Sequence, residues 1–189
     1  ELVALHAIGS HVALALIRYR DAAGRPRTLR YVRKQLSGRG LRGAVVHQHL
    51  ESQLGLLDPA LDVPQYLGVL GTFYGFYVPV EIDVTRLAAE WPLGFPLRAR
   101  AGLIERDLLA PGRSPADLSA LPLCSDRPQL SCVEDLAGCL YVLEGACLGG
   151  QVVSAVLHRR LGLAKEKGAA FFAGDGDGTL PRWTVVVAW

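Results

Sequence analysis

Apolar residues run along this chain in long helical blocks with little sustained alternation, a pattern that predicts helices joined by short polar turns. "LVALHAIGSHVALALI", residues 2–17, reads as one helix. The stretch after it, 18–40, mixes basic residues with turn signals at Asp21–Pro26 and Ser37–Gly40. "LRGAVVHQHLESQLGLLDP" keeps helical period and ends at Asp58–Pro59. The next run starts with Asp62 as N-cap candidate and Pro64 in the first turn, and Pro79 should kink or restart it. "PLRARAGLIERDLLAPG" forms a short helix that stops at Pro111–Gly112. The longest helix begins near Cys132 and extends for about 30 residues, a length set by its unbroken helical period. "GAAFFAGDGDGTLPRW" is loop-rich. The expected fold is an all-α helical bundle over residues 41–189, preceded by a basic extension, residues 1–40, helical or disordered.

Half of the 189 residues are hydrophobic and 20% are charged, enough apolar material for a core. The net charge of +2 conceals an asymmetry: residues 1–42 hold nine Lys/Arg against two acids, and the remainder eleven against sixteen. A solvated extension explains that basic head more simply than nucleic-acid binding does, so no nucleic-acid partner is expected. The N-terminal apolar run is short for a bilayer, and its positive charges follow it rather than precede it, so neither a transmembrane segment nor a signal peptide is expected. Cys124, Cys132, Cys139 and Cys147 form no C-x-x-C pair, which suggests reduced thiols in a cytoplasmic protein. "GDGDG" at 174–178 lacks the third acid of a calcium loop and reads as a turn.

Two features raise a chemical question. The longest helix carries Gly145, Gly149 and Gly150 in its middle, each costing about 0.5–1 kcal/mol relative to alanine. Gly145 and Gly149 share a face. The pattern alone favours close helix–helix packing over the other reading, a flat ligand lying against bare backbone. The second feature is His47, which shares an apolar face with Leu50 and Leu54 and has Glu51 one turn on. A metal-bound imidazole usually donates its other ring N–H to such a carboxylate, though taken alone the pattern fits better a core or surface histidine with a local hydrogen bond. His49 lies on a more polar face, and His158 decorates the basic end of the long helix.

Taken together, three blocks over residues 41–183 resemble bacterial biliverdin-producing haem oxygenases, particularly those associated with bacteriophytochromes. "HQHLESQLGLLDPALDVPQYLGVLGTFYGFYVPVE" is similar to the family's proximal helix and its successor, with His47, Leu50, Glu51, Tyr66, Gly75, Tyr77 and Glu81 at family spacings. "LYVLEGACLGGQVV" resembles the distal helix, and "FFAGDGDGTLPRW" the family's FF-x-G-x-G…RW loop. The resemblance implies a haem-oxygenase-like bundle that oxidises haem b, at once substrate and cofactor, to biliverdin, carbon monoxide and ferrous iron. His47 would be the iron ligand and Glu51 its hydrogen-bond acceptor. Gly145, Gly149 and Gly150 would leave the distal face bare for haem and oxygen, and Tyr77 is a candidate for the water network. Electrons would come from an external ferredoxin or reductase, and a bacteriophytochrome is a candidate recipient of the biliverdin. Ala146 stands where many animal-type relatives carry an aspartate, and Val45 and Val46 are unusual before the proximal histidine. A non-catalytic haem-binding or haem-sensing protein on the same fold is therefore the alternative. If His47 is the ligand, His47→Ala abolishes a histidine-ligated ferrous haem spectrum, free imidazole restores it, and His49→Ala leaves it intact.

Overall fold

The computed structural model describes the strands Leu14–Arg20 (β1) and Pro26–Val32 (β2) and residues 54–189. β1 and β2 pair antiparallel, Leu14 opposite Val32 and Arg20 opposite Pro26. This corrects the helix expected over 2–17 at its Leu14–Ile17 end. The segments LALIRYR and PRTLRYV are rich in the branched and aromatic residues that suit strands, and the turn signals at Asp21–Pro26 fall between them.

From Leu54 on, the chain is helical without named strands. α1 spans Val63–Ala88, α2 Ala101–Leu109, α3 Pro115–Ser119, α4 Val133–Leu161, α5 Ala170–Ala173 and α6 Thr179–Ala188, with a 3-10 turn at Gly176–Gly178 between the last two. Asp62 caps α1 as its sequence suggests. Its carboxylate accepts from the Gln65 N–H, and the Gln65 side chain accepts from the Asp62 N–H in return. Pro79 does not break the helix, which runs through it unbroken to Ala88. Buried packing on either side of the proline, Phe76 and Tyr77 before it and Val80 and Val84 after it, offsets the lost backbone bond.

α4 is the central element, packing on α1, α5 and α6. It has acids in its first turn, Glu134 and Asp135, and His158, Arg159 and Arg160 in its last, complementing the helix dipole. Gly162, with φ 66°, ends it in the left-handed conformation that favours glycine. Arg160 donates to the Leu57 carbonyl at 3.0 Å and ties that end to the turn before α1. By length and composition α4 could cross a membrane, as core helices of soluble proteins also can. Its Leu136, Leu140, Leu143 and Leu157 lie in the core with Tyr66, Leu70, Ile104 and Leu108.

The loop expected over 168–183 contains more helix than its composition suggests, because buried polar groups order it. Asp107 on α2 is 1% exposed, and its two oxygens accept from the Ala170 and Phe171 N–H groups at 2.8 and 2.7 Å. They satisfy the first donors of α5. Burial raises the Asp107 carboxyl above its usual range, an effect these two bonds only partly offset. Tyr66 donates to the Gly168 carbonyl at 2.9 Å, where Gly168 takes φ 79°. Asp107→Ala leaves two buried N–H groups without a partner and should cost about 2 kcal/mol or more. Urea denaturation of wild type and variant measures this, with loss concentrated in the 168–173 segment by hydrogen exchange.

Candidate functional site

Gly145, Gly149 and Gly150, in the middle of α4, have three different surroundings. A Cβ on Gly150 would fall 2.8 Å from the Phe172 carbonyl oxygen, a distance real side chains do not adopt, so Gly150 lets the α5 backbone approach α4. A Cβ on Gly145 would fall 3.2 Å from two ring carbons of Trp183 on α6. Gly149 is exposed and a Cβ there would meet nothing within 4 Å. Ala146 is also exposed, and Val152 is 59% exposed. Three-residue steps place Ala146, Gly149 and Val152 along one side of the helix. The result is an open strip almost free of side chains, bounded at Gly145 by the Trp183 indole.

Behind the strip lies a buried ionic network that the sequence reading missed. Glu144, next to Gly145, is 6% exposed. It accepts from Arg182 Nε at 2.9 Å, from Arg182 Nη2, and from Arg100 Nη2 at 3.1 Å. Arg100 also reaches Asp175 at 3.5 Å, and Arg98 pairs with the same aspartate. Glu81 accepts from the Arg100 and Ala101 N–H groups at 2.6 and 3.2 Å and so caps α2. Burial raises the Glu81 carboxyl above its ordinary range. One signal could have revealed the network: a glutamate inside the apolar run LYVLEGACL must find a cation if the helix is buried. Asp175 is committed to arginines, in keeping with the turn reading of GDGDG. No group of three His, Cys, Asp or Glu suited to a metal occurs among the described residues.

Tyr77 on α1 is 3% exposed and lies edge-on to Phe76 and Phe171, with ring centroids 5.8 and 5.2 Å away. Burial pushes its phenol well above the usual range, and the Cys147 thiol adds to this. Cys147 is two residues from both Gly145 and Gly149, about 200° around the helix at about 100° per residue. A Cβ on Gly149 would meet no atom within 4 Å, so Tyr77 does not reach that position. None of the four cysteines is in a disulfide, and burial pushes the Cys139 thiol up to about 12 and the Cys147 thiol to about 11. His47, His49 and Glu51 lie outside the described residues.

Two cavities flank the bundle. One, about 210 Å³, runs along Gly68, Gly71 and Gly75 of α1 opposite Leu121–Asp126. Gly75 is itself a packing glycine, since a Cβ there would collide with the Pro122 carbonyl. The other, about 170 Å³, lies between Glu81 and Thr85 of α1, Leu97–Arg100, and Leu140 and Glu144 of α4. Comparison with protein-family models, curated proteins and solved structures gave no match to this chain.

The surroundings predict different fates for neighbouring glycines. Gly149→Leu should leave the ligand-free protein as stable as wild type, or add a few tenths to about 1 kcal/mol through its better helix propensity. Gly150→Leu should lose about 1–3 kcal/mol or more by forcing α4 and α5 apart. Thermal melts of the two variants in the absence of ligand distinguish them.

Proposed function

We propose that the chain is a haem oxygenase, cleaving haem b to biliverdin, carbon monoxide and ferrous iron with electrons from an external ferredoxin or reductase. The observation that carries this reading is the open strip at Ala146 and Gly149, set in the motif LYVLEGACLGGQVV. A planar tetrapyrrole needs a helix face without side chains, and of the three glycines that the resemblance assigns to that face Gly149 is open. The described residues fit haem at Gly149. At Gly145 they fit it only if the Trp183 indole moves.

When bound, haem supplies the iron centre at which oxygen is activated. The chain would supply the rest. His47 would hold the iron through one ring nitrogen while Glu51 takes the N–H of the other, which keeps the imidazole neutral and oriented. Gly149 would admit the macrocycle without a clash, and the backbone of α4 would limit the directions in which oxygen can point. Gly150 contributes indirectly by locking α4 to α5. Tyr77 stays protonated at neutral pH and supports α4 from its far side. Biliverdin release would suit a bacteriophytochrome as recipient.

One observation favours the second reading, a non-catalytic haem-binding protein. The indole over Gly145 narrows the side on which oxygen would bind. Titration with haemin followed by ascorbate under air separates them. The oxygenase reading expects a Soret band characteristic of histidine ligation, then its loss with growth of biliverdin absorbance and a carbon monoxide signal. A stable Soret band under the same conditions would leave only the haem-binding reading, and no Soret shift would exclude both.

A further inference from the structure

The cavity of about 210 Å³ between α1 and residues 121–126 is kept open by backbone chemistry. In an α-helix the Gly75 carbonyl would accept from the N–H four residues on, and Pro79 has none. The Cys124 N–H takes that place at 2.8 Å. Without a side chain on Gly75, the Pro122 carbonyl comes directly against the helix. Residues 122–124 are thus pinned to α1 at one level. Earlier on the same helix the space beside them stays unfilled. A Cβ on Gly68 would meet nothing within 4 Å, and one on Gly71 would meet only Leu121.

The lining sets the chemistry of an occupant. Leu67, Phe76 and Leu121 give the cavity apolar walls. Arg113 also lines it, half-buried, and makes no hydrogen bond or salt bridge among the described residues. The carboxylate its charge does act on, Asp117, is held by the Ser114 N–H and hydroxyl, both at 2.8 Å. A guanidinium in this position offers two parallel donors to a carboxylate. Asp126 lines the cavity as well. It opposes a second negative charge, so the lining suits a monoanion and disfavours phosphate. An apolar cavity of about 150 Å³ already accommodates benzene. The larger volume here has room for a ring that carries a carboxylate.

We propose that this cavity is a binding site for a small aromatic monocarboxylate, its ring between Leu67, Phe76 and Leu121 and its carboxylate paired with Arg113. The site shares no lining residue with α4 and does not depend on the haem reading. An occupant bridges α1 and the 121–126 segment, and it therefore stabilises the chain in proportion to its concentration over its dissociation constant.

Benzoate is the probe, added to the full chain and followed by calorimetry and amide NMR. Wild type should bind it saturably, with shifted resonances at Gly68–Gly75 and 121–126. Arg113→Gln should weaken binding about tenfold or more through loss of the charge-assisted pair. Gly68→Leu adds a side chain at an open lining position, so it should abolish binding while melting at or above the wild-type temperature. Benzyl alcohol, which lacks the charge, should bind about tenfold more weakly or worse. Phosphate should not compete. No saturable benzoate binding by a cooperatively melting wild type overturns the site, as does equal affinity in Gly68→Leu. If Gly68→Leu does not fold, the NMR map on wild type decides the location. Equal affinity in Arg113→Gln, or for benzyl alcohol, overturns the carboxylate pairing. Competition by phosphate overturns the choice of a monoanion. Haemin titration of the same sample reads the haem proposal separately.

Discussion

A carboxylate in the middle of an apolar helix dictates much of this architecture. Glu144 cannot be buried charged without partners, and removing one partner of such a pair typically costs about 3–5 kcal/mol. Two arginines from distant parts of the chain meet it: Arg100, at the start of α2, and Arg182, in α6. The requirement to neutralise one buried charge therefore fixes where α2 begins and where α6 docks. Asp175 and Arg98 extend the same balance outwards to the surface. Arg100 Nε has no hydrogen-bond partner among the described residues, the one unsatisfied buried side-chain nitrogen or oxygen there.

That network stands next to the glycines, and the two features depend on each other. Glu144 holds α6 against α4, and α6 brings Trp183 over Gly145. On another side of α4, Gly150 lets α5 approach to backbone contact, and Phe171 and Phe172 pack with Phe73 and Tyr77 of α1. Gly149 alone lacks a neighbour. The helix thus tolerates three weak helix formers for separate reasons, of which two are visible as packing in the protein itself.

Helix positions were the most legible part of the sequence. Local chemistry sets them: the Asp62–Gln65 capping box, the Gly162 stop, and the acidic and basic ends of α4. Pro79 looked like a kink or a restart, and α1 runs through it to Ala88 without a restart. The Leu14–Ile17 run looked helical because its apolar residues are continuous, yet it belongs to β1, which pairs with β2. Of the candidate site residues, Gly145, Gly149, Gly150 and Tyr77 could be located. Spacing alone could not tell a packing glycine from an open one, because that depends on Phe172 and Trp183, which are more than twenty residues further along. Asp107 and the Glu144 network were hidden for the same reason.

The Tyr66–Gly168 and Asp107–Ala170 hydrogen bonds join residues 102 and 63 positions apart. A four-residue helix such as α5 has no stability of its own, since the first turn costs more conformational entropy than one hydrogen bond returns. Its donors can be satisfied only after α1 and α2 are in place. The 168–173 segment therefore owes its order to α1 and α2, and the backbone approach at Gly150 shares that dependence.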